Sequence, residues 1–135
     1  MTDIVCDDSQ FPYVEVQFPG RVASDEAVAG FLANLDTYQE RALQAGRPYV
    51  CVIHGANGMT PQQRKMNTDW LDRRDPKYEG TLQKVFIVSE SAVVRGVLTA
   101  MTWMSPRVKA LTAPCKSLDD ARQKAMQALE EAGPL

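Results

Sequence analysis

Two short, continuous apolar segments in the middle of this chain constrain its fold more than any other feature. Residues 49–53 read YVCVI and residues 85–88 read VFIV. Uninterrupted apolar strands of this kind are typical of the inner strands of a parallel sheet that helices cover on both faces. A helical segment separates the two runs, so we expect a right-handed crossover that makes them neighbouring parallel strands. Their carboxyl ends should then share one edge of the sheet.

Strand and helix patterns alternate along the rest of the chain. Residues 13–18 alternate apolar and polar side chains, which indicates a half-exposed strand near a sheet edge, and residues 4–6 are short enough to pair with it as an antiparallel edge strand. The last strand is predicted at residues 108–111. Helices are predicted after Ser24, after Thr60, over Ala92–Met104 and after Ser117. The prediction is one α/β domain over residues 1–135, with a four- to five-stranded, mainly parallel sheet and four helices.

Composition narrows the classes of function. The chain of 135 residues has 15 Lys and Arg against 17 Asp and Glu, a balance that argues against a nucleic-acid-binding scaffold. Its three cysteines form no CxxC pair and it has one histidine, so neither a Cys/His zinc site nor any other metal or cofactor is predicted. Free thiols, and an amino terminus without signal-peptide character, favour a cytoplasmic protein. The longest apolar stretch, Ala92–Met104, is too short to span a membrane.

Candidate ligand-binding residues follow the predicted parallel strands, because ligands of open α/β sheets bind at the carboxyl ends of the strands. His54 comes directly after one apolar strand and either acts as a proton acceptor or hydrogen-bonds to backbone. Ser89 follows the other strand, but its context, VSESA, lacks the glycines of a nucleophile elbow. Asn57, Arg64 and Arg95 complete the predicted set. No catalytic residue is assigned, and the function predicted at this edge is small-molecule binding or a small enzyme.

The helix predicted over Ala92–Met104 carries apolar side chains around nearly its whole circumference. A helix at a protein surface usually keeps a wide polar face, whereas here only Arg95, Thr99 and Thr102 form a narrow polar line. The helix is therefore either enclosed within the monomer or packed against another chain. Under the second interpretation it is the contact surface for a protein partner or for a second copy, through the following residues: Val94, Leu98, Met101, Trp103 and Met104.

The order of elements over most of the chain resembles that of the STAS-like domains, in particular the SpoIIAA-like group of small bacterial proteins, and the similarity is greatest from Val85 to the C-terminus. The resemblance lies in the segment VFIVSESAVVRGVLTAMTWM and in the final helix, SLDDARQKAMQAL. These domains have a strand, an arginine-containing helix, a strand and a last helix that opens with Ser-x-x-Asp/Glu-Ala. The resemblance implies a non-enzymatic regulatory or scaffolding domain that acts through protein contacts.

Overall fold

A computed structural model describes residues 4–89 and 91–135, except for the side chains at positions 94, 97, 101, 102 and 104. Five strands in this part of the chain form one mixed sheet, in the order β1-β2-β3-β4-β5. The strands are β1 Val5–Gln10, β2 Tyr13–Gln17, β3 Tyr49–His54, β4 Leu82–Val88 and β5 Thr112–Cys115. β1 is an antiparallel edge strand and the other pairs are parallel, which confirms the predicted sheet. The two apolar runs are direct neighbours, with Cys51 opposite Val85.

The same part of the chain contains five α-helices between and after these strands, and most of them begin where the sequence predicts a helix start. They are α1 Asp25–Ala45, α2 Pro61–Asp72, α3 Ala92–Met104, α4 Pro106–Leu111 and α5 Leu118–Glu131. The Ser24 side chain accepts a hydrogen bond from the Ala27 amide at the start of α1. Thr60 and Gln63 form a reciprocal capping box at the start of α2, which satisfies two amides that would otherwise lack partners.

The two faces of the sheet are covered unequally. On one face, Tyr49 and Cys51 of β3 join the core that α1 closes, and α2 and α3 pack on the same side. On the other face, Val50 and Val52 pack against α5, the one helix that covers this face in the described part of the chain. The alternation of side chains along β3 therefore divides the interior into two layers of core. The parallel strands β2 to β5 are adjacent in chain order, and each connection between them is a right-handed crossover. The helices of these crossovers therefore lie on the same face of the sheet.

The prediction of a strand at residues 108–111, and with it the count of four helices, is wrong. Residues 106–111 form α4, and the edge strand β5 follows at Thr112–Cys115. The Ser105 side chain accepts from the Val108 amide and Pro106 occupies the first helical turn, so the proline that ends α3 also opens a new helix. Pro114 is tolerated in β5 because this strand lies at the sheet edge, where one side needs no ladder hydrogen bonds.

Candidate functional site

The loops after β2 and β3 meet at the carboxyl edge of the sheet, where the site was predicted. The Gly20 amide donates to the Gly55 carbonyl over 2.9 Å, and the Asn57 side-chain amide donates to the Gly20 carbonyl over 3.0 Å. Gly55 has a φ of 76°, and a Cβ there would lie 2.5 Å from the Phe18 carbonyl oxygen. A glycine is therefore required where the two loops cross. Asn57 stabilises this crossing and has its amide committed to backbone.

His54, the sharpest candidate, lies on the α5 side of the sheet. Its Nε2 is 3.7 Å from Oε2 of Glu15, which lies on the neighbouring strand β2, and both side chains are mostly buried. Gln17 is the residue that pairs with His54 in the parallel register, so Glu15 sits two residues back on the same face. The imidazole thus has a carboxylate partner that the predicted set did not contain.

Glu15 is the centre of a polar cluster beneath α5. Arg122 of α5 makes a two-pronged contact with it, with Nε 2.7 Å from Oε1 and Nη2 2.9 Å from Oε2. The Tyr13 hydroxyl donates to Oε1 over 2.7 Å. The Arg122 hydrogen bonds, with a smaller contribution from Tyr13, lower the pKa of Glu15 to about 2. Burial, reinforced by the neighbouring carboxylate, raises the pKa of Tyr13.

These contacts define what the cluster is able to do. Glu15 stays ionised and both of its oxygens are occupied, so it is a poor proton acceptor at neutral pH. Tyr13 stays protonated because its hydroxyl donates to that carboxylate. A groove of about 440 Å³ runs beside the cluster between β1, β2 and α5. Tyr13, Glu15 and Arg122 also line this groove, so the cluster both ties α5 to the sheet and presents a polar wall to solvent.

The remaining candidates bind backbone carbonyls on the opposite layer or at the edge of the sheet. Arg64 of α2 donates from Nη1 to the Met59 carbonyl over 2.9 Å. The Ser89 hydroxyl lies 3.3 Å from the Cys115 carbonyl, and Arg95 of α3 donates from Nη1 to the Ser89 carbonyl over 3.3 Å. The structure therefore brings Ser89 and Arg95 together. His54 is on the α5 face, whereas Arg64 and Arg95 belong to helices of the other layer.

The predicted interface helix α3 combines one buried anchor with an exposed apolar side. Leu98 packs into the sheet against Ile87. Trp103 is 85% exposed and Val93 is 53% exposed. The predicted interface positions Val94, Met101 and Met104 lie outside the described side chains. Of the two interpretations of this helix, enclosure within the monomer is thus inconsistent with the position of Trp103.

Sequence reasoning missed three members of the polar cluster: Tyr13, Glu15 and Arg122. The alternation of residues 13–18 does place Tyr13 and Glu15 on one face, and the parallel register then places His54 beside Glu15. Arg122, however, reaches Glu15 across 107 positions of the chain, and no local pattern announces that contact. The available signal was Glu15 itself, a charged residue in a strand where both of its neighbours, Val14 and Val16, are buried.

The described part of the chain has no group of three or more His, Cys, Asp and Glu side chains arranged to hold a metal ion. No helix within it has the length and apolar character needed to cross a bilayer. Comparison of the chain with protein-family models, with curated proteins and with solved structures found no match.

Proposed function

We propose that this protein is a STAS-like regulatory or scaffolding module that acts through protein contacts, and that α3 is its contact surface. The observation that supports this most directly is the exposure of Trp103 on a helix that is otherwise almost entirely apolar. Tryptophan is the residue type most enriched where protein interfaces gain their binding energy. A small-molecule site at the sheet edge is less well supported because His54 and the two predicted arginines belong to different layers.

The exposed side of α3 contains one apolar stripe, with the exposed Arg95 and Thr99 beside it. Successive residues of a helix are rotated by about 100°, so the following positions fall within about 100° of the circumference: Ala92, Val93, Gly96, Ala100 and Trp103. Four of them are exposed and Ala100 is partly buried. Thr99 borders this stripe, and Arg95, the only charged residue in α3, lies one position further around the helix. A strongly charged partner would therefore gain little here, whereas an apolar surface would match it.

A second copy of the chain fits this stripe. In an antiparallel pair whose two-fold axis crosses the exposed stripe at the level of position 98 along the helix, position 103 of one helix lies opposite position 93 of the other. The Trp103 ring would then cover the partner's Val93 and enter the space above Gly96, where an added Cβ meets no atom within 4 Å. Each copy inserts its own Trp103 and offers its own Gly96 to the ring of the other copy, so the surface is self-complementary.

A substitution at position 103 should have a large effect on dimerisation, because it is present in both copies of the dimer. Burying an aromatic side chain removes roughly 200 Å² from water, which at about 25 cal/mol per Å² corresponds to about 4 kcal/mol for the exposed fraction of Trp103. Truncating such an interface tryptophan typically costs about 2 kcal/mol or more. In a symmetric dimer, Trp103→Ala should therefore raise the dimer dissociation constant by roughly a thousandfold.

Sedimentation equilibrium over a range of concentrations tests the proposal with matched variants. Gly96→Leu fills the space above Gly96 and should abolish dimers while the monomer stays folded. Gly30→Leu makes the same change on the exposed side of α1, where an added Cβ also has open space, and should dimerise like the wild type. A wild-type chain that sediments as 15.0 kDa at every concentration would refute the proposal. So would equal dimerisation of the two leucine variants.

A further inference from the structure

A second groove lies at the opposite edge of the sheet, where β4 and β5 begin. It measures about 380 Å³ and includes Arg74, which follows α2, and Arg107, in the first turn of α4. Leu82, Ala110 and Leu111 provide apolar wall, and Glu79 is the acidic residue of the lining. Two guanidinium groups against one carboxylate leave the groove with one uncompensated positive charge.

Arg74 is held in place with two nitrogens of its guanidinium group unpaired. Nε and Nη1 are shielded from solvent and have no hydrogen-bond partner within the described residues. The Trp70 ring covers the guanidinium, whose Cζ is 5.2 Å from the ring centroid. Trp70 is itself fixed by a 2.7 Å hydrogen bond from its Nε1 to Asp36. Buried polar groups without partners are rare in folded proteins, and each one calls for an explanation.

The surroundings of Arg74 add to this imbalance. Burial lowers the pKa of Arg74; Tyr49 and Glu79 act in the opposite direction, and repulsion from Arg107 lowers it further. Arg107 donates from Nη1 to the Leu71 carbonyl over 3.4 Å, a long contact with a neutral acceptor. Gln83 also lines the groove; its side-chain amide donates to the Ala128 carbonyl of α5 over 3.0 Å, and its Oε1 is buried without a partner in the described part of the chain. Polar groups in this groove are therefore positioned but incompletely satisfied.

We infer that the groove between Arg74 and Arg107 binds a small organic carboxylate with a short apolar body. One carboxylate neutralises the single excess charge, whereas a phosphate dianion would exceed it. Guanidinium groups are suited to carboxylates because their geometry allows paired, charge-assisted hydrogen bonds. The apolar body would lie against Leu82 and Leu111. The volume is near the lower end for ligand pockets, which favours a small molecule.

Butyrate is a suitable probe, and butyramide is its uncharged counterpart of nearly the same shape. The variant Trp103→Phe leaves Trp70 as the sole tryptophan, so its fluorescence reports on the environment of Arg74. Titration with butyrate should change the Trp70 fluorescence along a saturable binding curve, and titration with butyramide should leave it unchanged. Arg74→Gln and Arg107→Gln should each weaken butyrate binding by roughly tenfold or more, the usual effect of losing a charge-assisted hydrogen bond.

Arg73→Gln is the matched control, because Arg73 is adjacent in sequence but lies 4.0 Å from Asp69 on the exposed side of α2. This variant should bind butyrate like the parent. Since Arg74 is partly buried, circular dichroism must confirm that Arg74→Gln is folded, and the exposed Arg107 provides an independent variant. Equal responses to butyrate and butyramide, equal losses in Arg73→Gln and Arg74→Gln, or tighter binding of inorganic phosphate than of butyrate would each overturn the inference. None of these outcomes depends on dimerisation through α3.

Discussion

Replacing Tyr49 by phenylalanine should make this protein more stable. Tyr49 opens β3 at the centre of the sheet and is fully buried, with its ring among those of Phe11 and Tyr38. Its hydroxyl has no hydrogen-bond partner in the described part of the structure. In the unfolded chain the same hydroxyl bonds to water, so folding strips it of a partner and returns nothing.

The size of the effect follows from two opposing contributions. A buried hydroxyl without a partner costs about 1–3 kcal/mol, and Tyr49→Phe removes that cost. The missing oxygen leaves a void of roughly 15 Å³, which at about 24 cal/mol per Å³ costs about 0.4 kcal/mol. The net gain should be about 1 kcal/mol in the free energy of unfolding. For a domain of this length, the melting temperature should rise by about 3–5 °C.

Urea unfolding followed by circular dichroism measures this difference. Tyr38→Phe is the matched control, because Tyr38 is also buried and packs against Tyr49, but its hydroxyl interacts with the Cys6 thiol. That variant loses a partnered hydroxyl and should be neutral or slightly less stable. If Tyr49→Phe destabilises the protein as much as Tyr38→Phe does, the Tyr49 hydroxyl has a partner and the reasoning is wrong.

Two further predictions concern the loop crossing and the polar cluster. Gly55→Ala and Gly20→Ala both place a side chain at positive φ, which costs about 1 kcal/mol each, but only the alanine at position 55 meets the Phe18 carbonyl. In urea unfolding, the free energy of unfolding of Gly55→Ala should therefore be at least about 2 kcal/mol lower than that of Gly20→Ala. Equal losses of stability in the two variants would contradict the close approach. Since the folded pKa of Glu15 is about 2 against a usual 4.5, its pairing with Arg122 stabilises the fold above pH 4.5 and is lost as the pH falls towards 2. The stability advantage of the wild type over Glu15→Gln, on the order of 1 kcal/mol after solvent screening, should disappear over that range, and an advantage independent of pH would exclude this origin.

The sheet could be predicted from the sequence because its signals are local. Continuous apolar runs identified β3 and β4 as inner strands, and capping residues such as Ser24 and Thr60 located helix starts. Those signals depend on neighbours within a few positions, where chain geometry fixes which atoms meet. The bounds of α3, Ala92–Met104, were predicted for the same reason, since Pro106 limits the helix.

The unpredicted features depend on contacts between distant residues. Residues 106–111 contain a valine and a leucine that also suit a strand, and the choice of a helix depends on Ser105 capping and on the burial of Val108 beneath Leu71. The polar cluster required knowledge that α5 crosses β2, which brings Arg122 to Glu15. The exposure of Trp103 likewise depends on where the neighbouring helices lie, and periodicity alone left both outcomes open.

Because α5 is the one helix of the described structure that covers its face of the sheet, that face stays exposed until late in the synthesis of the chain. Val50, Val52, Phe86 and Val88 are all made before α5, yet nothing else packs across them in the described structure. During synthesis, a nascent chain that already contains the five strands of the sheet would still expose this apolar strip until α5 leaves the ribosome. A stop codon or a protease cut just before Ser117 would remove α5 and make that exposure permanent, so the shortened protein should aggregate.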